Sequence, residues 1–282
     1  MKVTRFAPSP SGRLHLGHAF SAVIGHAHAR ASGGKFRLRI EDLDPGRCRP
    51  EFVGGIFEDL GWLGLTIDGA PIVQSERTHL YSQALDRLRA EGLVYACFCT
   101  RAEIAQSLTA PHGDAGTHYP GTCRPLPDDP ERRAALPHCW RLDSGKAQRI
   151  AGLPSWIEED GNRFHSKPSD FGDAILARKD APSSYHLACV VDDAASGVNL
   201  VVRGEDLRPS TPTQRLLQIL LDLPEPNYLH HPLVTHENGR RLAKRDLAPT
   251  LAAMRESGVD GPALAAQLLE GQLPLGFRLS GA

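Results

Sequence analysis

No stretch of this 282-residue chain approaches the roughly 18 consecutive apolar residues that a membrane span needs. The N-terminus runs straight into Lys2-Val3-Thr4-Arg5-Phe6, with no apolar core of a secretion signal. No membrane-spanning helix is expected on this pattern, and a cytoplasmic location is expected. An excess of one charge is also missing, because the net charge is -1. Bulk charge therefore does not mark a nucleic-acid binder, although a basic strip can coexist with an acidic remainder. There is no internal repeat, no low-complexity tract and no heptad pattern, so a monomer is expected. Six cysteines in a chain without a signal read as thiols or metal ligands and not as disulfides. What remains is ordinary for a globular protein: 41% hydrophobic and 23% charged residues, with length enough for one large or two modest domains.

Val3 to Ala7 reads as a strand. His15 to Ala31 reads as a helix stopped by Gly33-Gly34. Phe36, Leu38 and Ile40 alternate with Lys35, Arg37 and Arg39, which predicts a strand with one wetter face. Pro50 to Leu63 is a second helix. Ser75 is placed to cap a third, reaching Glu91, with Leu80, Ala84, Leu85 and Leu88 on its apolar side. This strand–helix alternation indicates an α/β fold with a parallel sheet, whose ligands bind beyond the carboxyl ends of the strands. From Tyr95 to Asp180 the pattern loosens into many prolines and short strands such as Cys139-Trp140-Arg141-Leu142, an insertion between two halves of the α/β unit. Regular structure resumes with Tyr185 to Asp193 and Asn199 to Asp206, followed by a helix from Thr211 to Asp222.

Chemistry concentrates first in Arg5-Phe6-Ala7-Pro8-Ser9-Pro10-Ser11-Gly12-Arg13-Leu14-His15-Leu16-Gly17-His18. Two histidines three apart share a helix face at the end that carries unpaired N–H groups and a partial positive charge, which suits phosphate. Gly17 between them leaves room for a flat ring against the backbone. The plain alternative is two surface histidines.

The stretch resembles the "HIGH" signature of class I aminoacyl-tRNA synthetases. Together with Arg39-Ile40-Glu41-Asp42-Leu43-Asp44, it looks like the glutamyl branch of that family. The resemblance implies a Rossmann-like class I synthetase catalytic domain. It also implies ATP phosphates held by His15, Gly17 and His18, and L-glutamate held by Arg5, Phe6, Ala7, Pro8, Ser9, Glu41, Tyr185 and Arg203. The residue types agree with that chemistry. Arginines suit carboxylates, as bidentate partners, and a buried carboxylate such as Glu41 suits an ammonium. Gly239-Arg240-Arg241-Leu242-Ala243-Lys244-Arg245 resembles a degenerate "KMSKS" signature. Arg241 and Ala243 replace its first lysine and serine, while Lys244 is retained. Arg241, Leu242 and Lys244 are then ATP-binding, His15, His18 and Lys244 catalytic, and Mg²⁺ accompanies ATP.

Cys97-Phe98-Cys99 and Cys123 supply three thiolates, and one more donor would complete a tetrahedral zinc site. Two cysteines two apart in a strand share a face, and a turn can return Cys123. The fourth ligand is open from the residues, with His118 or His112 the conventional choice, and three metal-free thiols the plain alternative. The glutamyl-queuosine synthetases resemble this stretch in pairing Cys-x-Cys with Tyr-x-x-x-Cys, which selects Tyr119. Such a zinc is structural.

The expected organisation is 1–94 as the first half of the catalytic domain and 95–180 as a zinc-containing insertion domain. Residues 181–240 form the second half, and 241–282 the signature loop with a short helical segment. Only 38 residues follow Lys244, against the roughly 100–200 of a further anticodon-reading domain. This truncated pattern, with the Cys-x-Cys and Tyr-x-x-x-Cys insertion, resembles the glutamyl-queuosine synthetases, and the resemblance implies glutamate activation without tRNA and transfer to the queuosine of tRNA(Asp). A truncated enzyme charging the tRNA 3′ end, or a non-catalytic RNA-binding paralogue, is the alternative. Asp192-Asp193 contact substrate or cap a turn, and Cys48, Cys139 and Cys189 are read as packed thiols.

Overall fold

The computed structural model describes residues 1–100, 102–104, 119–242 and 249–281. Strand β1 (Val3–Phe6), helix α1 (Leu16–Ala31) and strand β2 (Lys35–Ile40) form the opening unit, with β1 and β2 parallel and Val3 opposite Lys35. Gly33, at φ 63°, makes the left-handed turn between α1 and β2 that a side chain would strain. Helix α2 (Pro50–Trp62) starts with proline at its first position, where no N–H is needed. It leads to the two-residue strand β3 (Ile72–Val73), parallel to β2.

The next helix starts later than expected. Gln74–Arg77 is a single 3₁₀ turn, and α3 runs Thr78–Ala90 without a side-chain cap. Ser75 is not a cap: its hydroxyl donates to Asp42 Oδ2 at 2.6 Å and its N–H to Asp42 Oδ1 at 2.8 Å. That bond pins the loop after β2 to the start of this helix region.

Strands β4 (Val94–Cys97), β5 (Cys139–Leu142) and β8 (Ile175–Ala177) make an antiparallel sheet, and β6 (Ser155–Ile157) pairs β7 (Arg163–His165) as a hairpin. Helices α4 (Pro130–Ala135) and α5 (Ser144–Ala151) flank them. This region shares a core with its surroundings. Leu142, Ala147 and Leu176 pack with Leu85 and Leu88 of α3, with Leu187 and Val190 of α6 (Tyr185–Ala195), and with Leu216 and Leu217 of α7 (Thr211–Leu220).

Strand β9 (Leu200–Gly204) runs parallel to β10 (Asn227–His231), and its entry is tied to β1 by the Asn199 N–H to Val3 O bond of 3.0 Å. The second α/β half is thereby set edge to edge against the first. Strand β11 (Val234–His236) pairs with the C-terminal strand β12 (Phe277–Leu279). Helices α8 (Leu251–Glu256) and α9 (Gly261–Leu269) lie between them in the chain. Leu264 and Leu268 of α9 join Phe20, Val23, Phe36, Leu38, Ile40, Ile56 and Leu60 in the first core. Each such buried aliphatic or aromatic side chain contributes roughly 1.5–3 kcal/mol. No helix among the described residues is long and apolar enough to cross a membrane.

One expectation for β2 fails. Arg39 is not on a wet face but only 1% exposed. A guanidinium is tolerated there because the carboxylates of Glu41 and Asp193 meet it.

Candidate active site

The carboxyl ends of β1, β2 and β9 open onto a cavity of about 380 Å³. It brings together Arg5, Phe6, Ala7, Pro8, Ser9, His15, Gly17, His18, Glu41, Tyr185, Arg203, Arg241 and Leu242. Residues far apart in sequence therefore converge where an open α/β sheet binds ligands. Lys244 and Ala243 lie outside the described residues.

At the helix end of the cavity, His15 is the N-cap of α1, and a reciprocal capping box fixes both imidazoles. Gly17 N–H donates to His15 Nδ1 at 3.2 Å, and His15 N–H donates to His18 Nδ1 at 3.2 Å. Each Nδ1 lone pair is thus used, so a neutral ring carries its proton on Nε2. The rings stand 3.8 Å apart, and an Nε2–H is the donor a phosphate oxygen accepts. A Cβ on Gly17 would come within 3.2 Å of the His15 ring. The glycine therefore spares the cap itself.

At the sheet end, Arg5 is 5% exposed. Its Nε donates to Asp193 Oδ1 at 3.1 Å and its Nη1 to Val202 O at 2.9 Å. The other three of its five N–H groups have no partner among the described residues, enough for a two-bond grip on a carboxylate. Arg203 is engaged differently. Its Nε donates to His230 Nε2 at 3.1 Å, its Nη1 to Gln214 Oε1 at 2.6 Å and Tyr185 Oη at 3.3 Å, and its Nη2 to Thr211 Oγ1 at 2.8 Å. One N–H remains. Both arginines read from sequence as bidentate partners, yet only Arg5 retains that capacity; Arg203 offers charge and one bond.

Behind this surface lies a buried ion network. Arg39 donates to Glu41 Oε1 from Nη2 at 3.0 Å and from Nε at 3.3 Å, and its Nη1 meets Asp193 Oδ1. Cys189 Sγ sits 3.3 Å from Arg39 Nη2 and 3.5 Å from Asp193 Oδ2. Burial pushes the Glu41 carboxyl above its ordinary value, against the opposing pull of Arg39. Burial also works against ionisation of Asp193, but Arg39 and Arg5 overcome it and hold Asp193 below its ordinary value. Asp193 is therefore the anion that lets two arginines approach one another, and Glu41 is oriented by Arg39.

Neither sequence option for the acidic pair holds: they are not turn caps, and Asp193 sits behind the cavity wall. Asp192 is fully buried and takes bonds from Gln74 Nε2 at 3.0 Å, Arg77 Nε at 2.7 Å and Tyr81 Oη at 2.7 Å, anchoring α3 to α6. Arg39, His230 and Glu158 were missed as site-shaping residues. A signal existed for Arg39, since it and Glu41 are two apart at a strand end and share a face. Nothing local marked His230, whose Nδ1–H donates to Glu158 Oε1 at 2.7 Å. That bond leaves Nε2 to accept from Arg203, and burial keeps the ring's proton affinity low.

A second constellation lies at the end of β4. The sulfurs of Cys97, Cys99 and Cys123 all fall within 4.8 Å of one another. Cys99 Sγ is 3.5 Å from Cys123 Sγ and 3.7 Å from Tyr119 Oη, which accepts the Cys123 N–H at 2.8 Å. A tetrahedral site with bonds of about 2.3 Å sets its sulfurs about 3.8 Å apart, so these side chains fit a zinc ion. His112 and His118 lie outside the described residues. Cys139, read as a packed thiol, is buried beside this cluster, with its Sγ 3.6 Å from Cys97 O.

Comparison with known proteins agrees with this geometry. The family described as "tRNA synthetases class I (E and Q), catalytic domain" matches residues 2–277. A protein of Rhodobacter capsulatus named glutamyl-Q tRNA(Asp) synthetase is 45% identical over 272 residues, covering 91% of this chain and 95% of that protein. A protein of the same name from Nocardia farcinica is 49% identical, covering 90% of this chain and 79% of that one. Among solved structures, glutamate-tRNA synthetase from Elizabethkingia anophelis superposes with a TM-score of 0.80 at 26% identity, covering 97% of this chain. The chain spans only 62% of that structure's length. With the histidine cap, the arginine pair and the sheet topology in place, the chain belongs to the catalytic-domain family of the class I tRNA synthetases for E and Q.

Proposed function

We propose that this cavity activates L-glutamate with ATP, without needing tRNA, and that the protein then transfers the glutamyl group to the queuosine base in the anticodon loop of tRNA(Asp). One observation carries the chemistry. A single cavity has Arg5, Glu41, Tyr185 and Arg203 at one end and the His15–His18 cap at the other. The names of relatives 41–49% identical over most of the chain carry the acceptor.

Arg5 takes one glutamate carboxylate with two bonds, Arg203 neutralises the other while the Tyr185 hydroxyl donates to it, and Glu41 with Ser9 receives the ammonium. Phe6, Ala7 and Pro8 form the adjoining wall. An oxygen of the α-carboxylate bonds to the ATP α-phosphorus while the bond to pyrophosphate breaks. His15 and His18 donate Nε2–H bonds to the charge that builds on the phosphates, helped by the helix N-terminus. Gly17, Arg241, Leu242 and Lys244 complete the nucleotide side, and Mg²⁺ arrives with the ATP phosphates. In the second step a queuosine hydroxyl oxygen bonds to the glutamyl carbonyl carbon, AMP leaves, and the hydroxyl proton passes to solvent. Positioning suffices for a mixed anhydride this reactive.

Cys97, Cys99, Cys123 and Tyr119 would hold one structural zinc and so tie the end of β4 to the returning turn. With four protein donors such an ion would serve the fold and not the reaction. We read the protein as a cytoplasmic monomer.

The likeness to glutamate-tRNA ligase structures favours a second reading, charging of the tRNA 3′ end. One assay with labelled glutamate and ATP separates the two. Glutamate-dependent pyrophosphate exchange without tRNA, and labelling of tRNA(Asp) only when it carries queuosine, is the expected result. Labelling of tRNA(Glu) would overturn it. Metal analysis of protein purified without chelators should give about one zinc per chain, and less than about 0.2 would contradict the zinc site.

A further inference from the structure

A second and larger cavity, about 620 Å³, opens off the first. The two share three wall residues, Ser9, Glu41 and Tyr185. The histidine cap, Gly17, Arg241 and Leu242 line only the first cavity, so the nucleotide end is on the far side. The second cavity instead lies between the loop after β2 and the β4–β5–β8 sheet. Asp44 and Arg47 stand on the side of the loop after β2, Arg178 reaches Asp44 from the end of β8, and Arg141, Asp173, Ser183, Ser184 and His186 complete the walls.

Its size suits a nucleoside, and its chemistry is polar. Three lining side chains each keep a buried polar atom with no hydrogen-bond partner among the described residues: Arg141 Nε, Ser184 Oγ and His186 Nδ1. Buried polar atoms are nearly always paired, because an unpaired one costs stability. Three such side chains, drawn from β5 and the start of α6, line this one cavity, whose walls therefore do not satisfy their own polar groups and suit a polar ligand. Arg141 is also held rigidly. Its guanidinium lies 3.9 Å over the Tyr119 ring, and its Nη1 donates to Asp173 O at 2.8 Å. Asp173 in turn is fixed by Arg124 Nε at 2.7 Å and the Ser144 N–H at 3.1 Å. The cysteine cluster thereby supports one wall of this cavity through Tyr119.

Resting on the function proposed above, we propose that this second cavity is the acceptor site, holding the modified nucleoside. Arg141, Ser184 and His186 then recognise its polar edge. Its hydroxylated ring points past Tyr185 and Glu41 toward the activated glutamate. This gives a base-reading role to residues that touch neither glutamate nor ATP, and it explains why the two cavities adjoin at the residues expected around the α-amino group. The acyl carbon and the attacking hydroxyl then meet at the shared wall.

The test uses His186→Leu and Arg141→Met in the full chain, with two readouts. Neither side chain lines the glutamate–ATP cavity. Glutamate-dependent pyrophosphate exchange should therefore stay within twofold of the wild type, which also reports on folding. Glutamyl transfer should show a KM for queuosine-containing tRNA(Asp) raised at least tenfold in each variant. Transfer KM unchanged within twofold in both would overturn the proposal. A second measurement stands if a variant does not fold. Free queuosine nucleoside added to the wild type should inhibit transfer and leave exchange untouched. Inhibition of neither reaction, or of exchange and transfer alike, would overturn it. Exchange by the wild type reports separately on the glutamate–ATP reading.

Discussion

Arg5 is committed to the protein before any substrate arrives, and this changes what its removal does. The reach of its Nε to Asp193 and Nη1 to Val202 O ties β1 to both α6 and β9. Arg5→Ala should therefore abolish glutamate-dependent exchange and also destabilise the fold by about 3 kcal/mol, the scale of a broken buried ion pair. Read by urea melts beside exchange assays, a variant that loses activity with unchanged stability would contradict the structural half. His186 offers a pH signature. Burial, and then Arg203, hold its pKa at about 4, against an ordinary 6.5. Between these values the unfolded chain binds the proton and the folded one does not, so stability falls as pH drops through that window and is unaffected above it. The interval corresponds to about 3 kcal/mol. His186→Leu should flatten the slope of stability against pH from 6.5 down to 4, and an unchanged slope would contradict the assignment. At this scale the sequence was legible where a residue's place follows from its type and motif, as for Arg5, Glu41 and the histidines, which meet in one cavity. It was silent on Glu158 and His230, because their meeting depends on the β6–β7 hairpin reaching β10, a long-range contact with no local trace.

The element scale explains why the start of α1 suits an anion. Its first turn has no acidic residue, so the positive end of the helix is not neutralised locally. The capping box occupies both Nδ1 atoms, which puts the proton of each neutral ring on Nε2. Gly17→Ala separates stability from activity. Alanine is favoured over glycine in a helix by up to about 1 kcal/mol, yet its Cβ would press on the His15 ring at 3.2 Å. Melting stability should hold or rise slightly, while kcat/KM for ATP in the exchange reaction falls at least threefold. Full activity with a stable fold would show that the cap does not orient the ring. The extents of β1, α1, β2 and α2 were readable from periodicity and from their stop and start residues. The start of α3 was not, because Ser75 has an ordinary capping residue's chemistry but spends it on Asp42. Alternation likewise mistook Arg39 for a surface residue, since a strand pattern cannot show that Asp193, 154 positions later in the chain, supplies the counter-charge.

Across the whole molecule, the first cavity joins the Arg5 and Glu41 end to the N-terminus of α1, and the second cavity adjoins it at Ser9, Glu41 and Tyr185. The chain covers most of the curated relatives it matches but about three-fifths of the glutamate-tRNA ligase structures. The acceptor is thus the feature that separates the two readings. The most direct measurement is the position of the glutamyl group on the product. Queuosine-containing tRNA(Asp) is labelled with radioactive glutamate, cut by a base-specific ribonuclease, and its fragments are separated. The label should lie on the anticodon fragment that contains queuosine. Label on the 3′-terminal adenosine fragment would contradict the account.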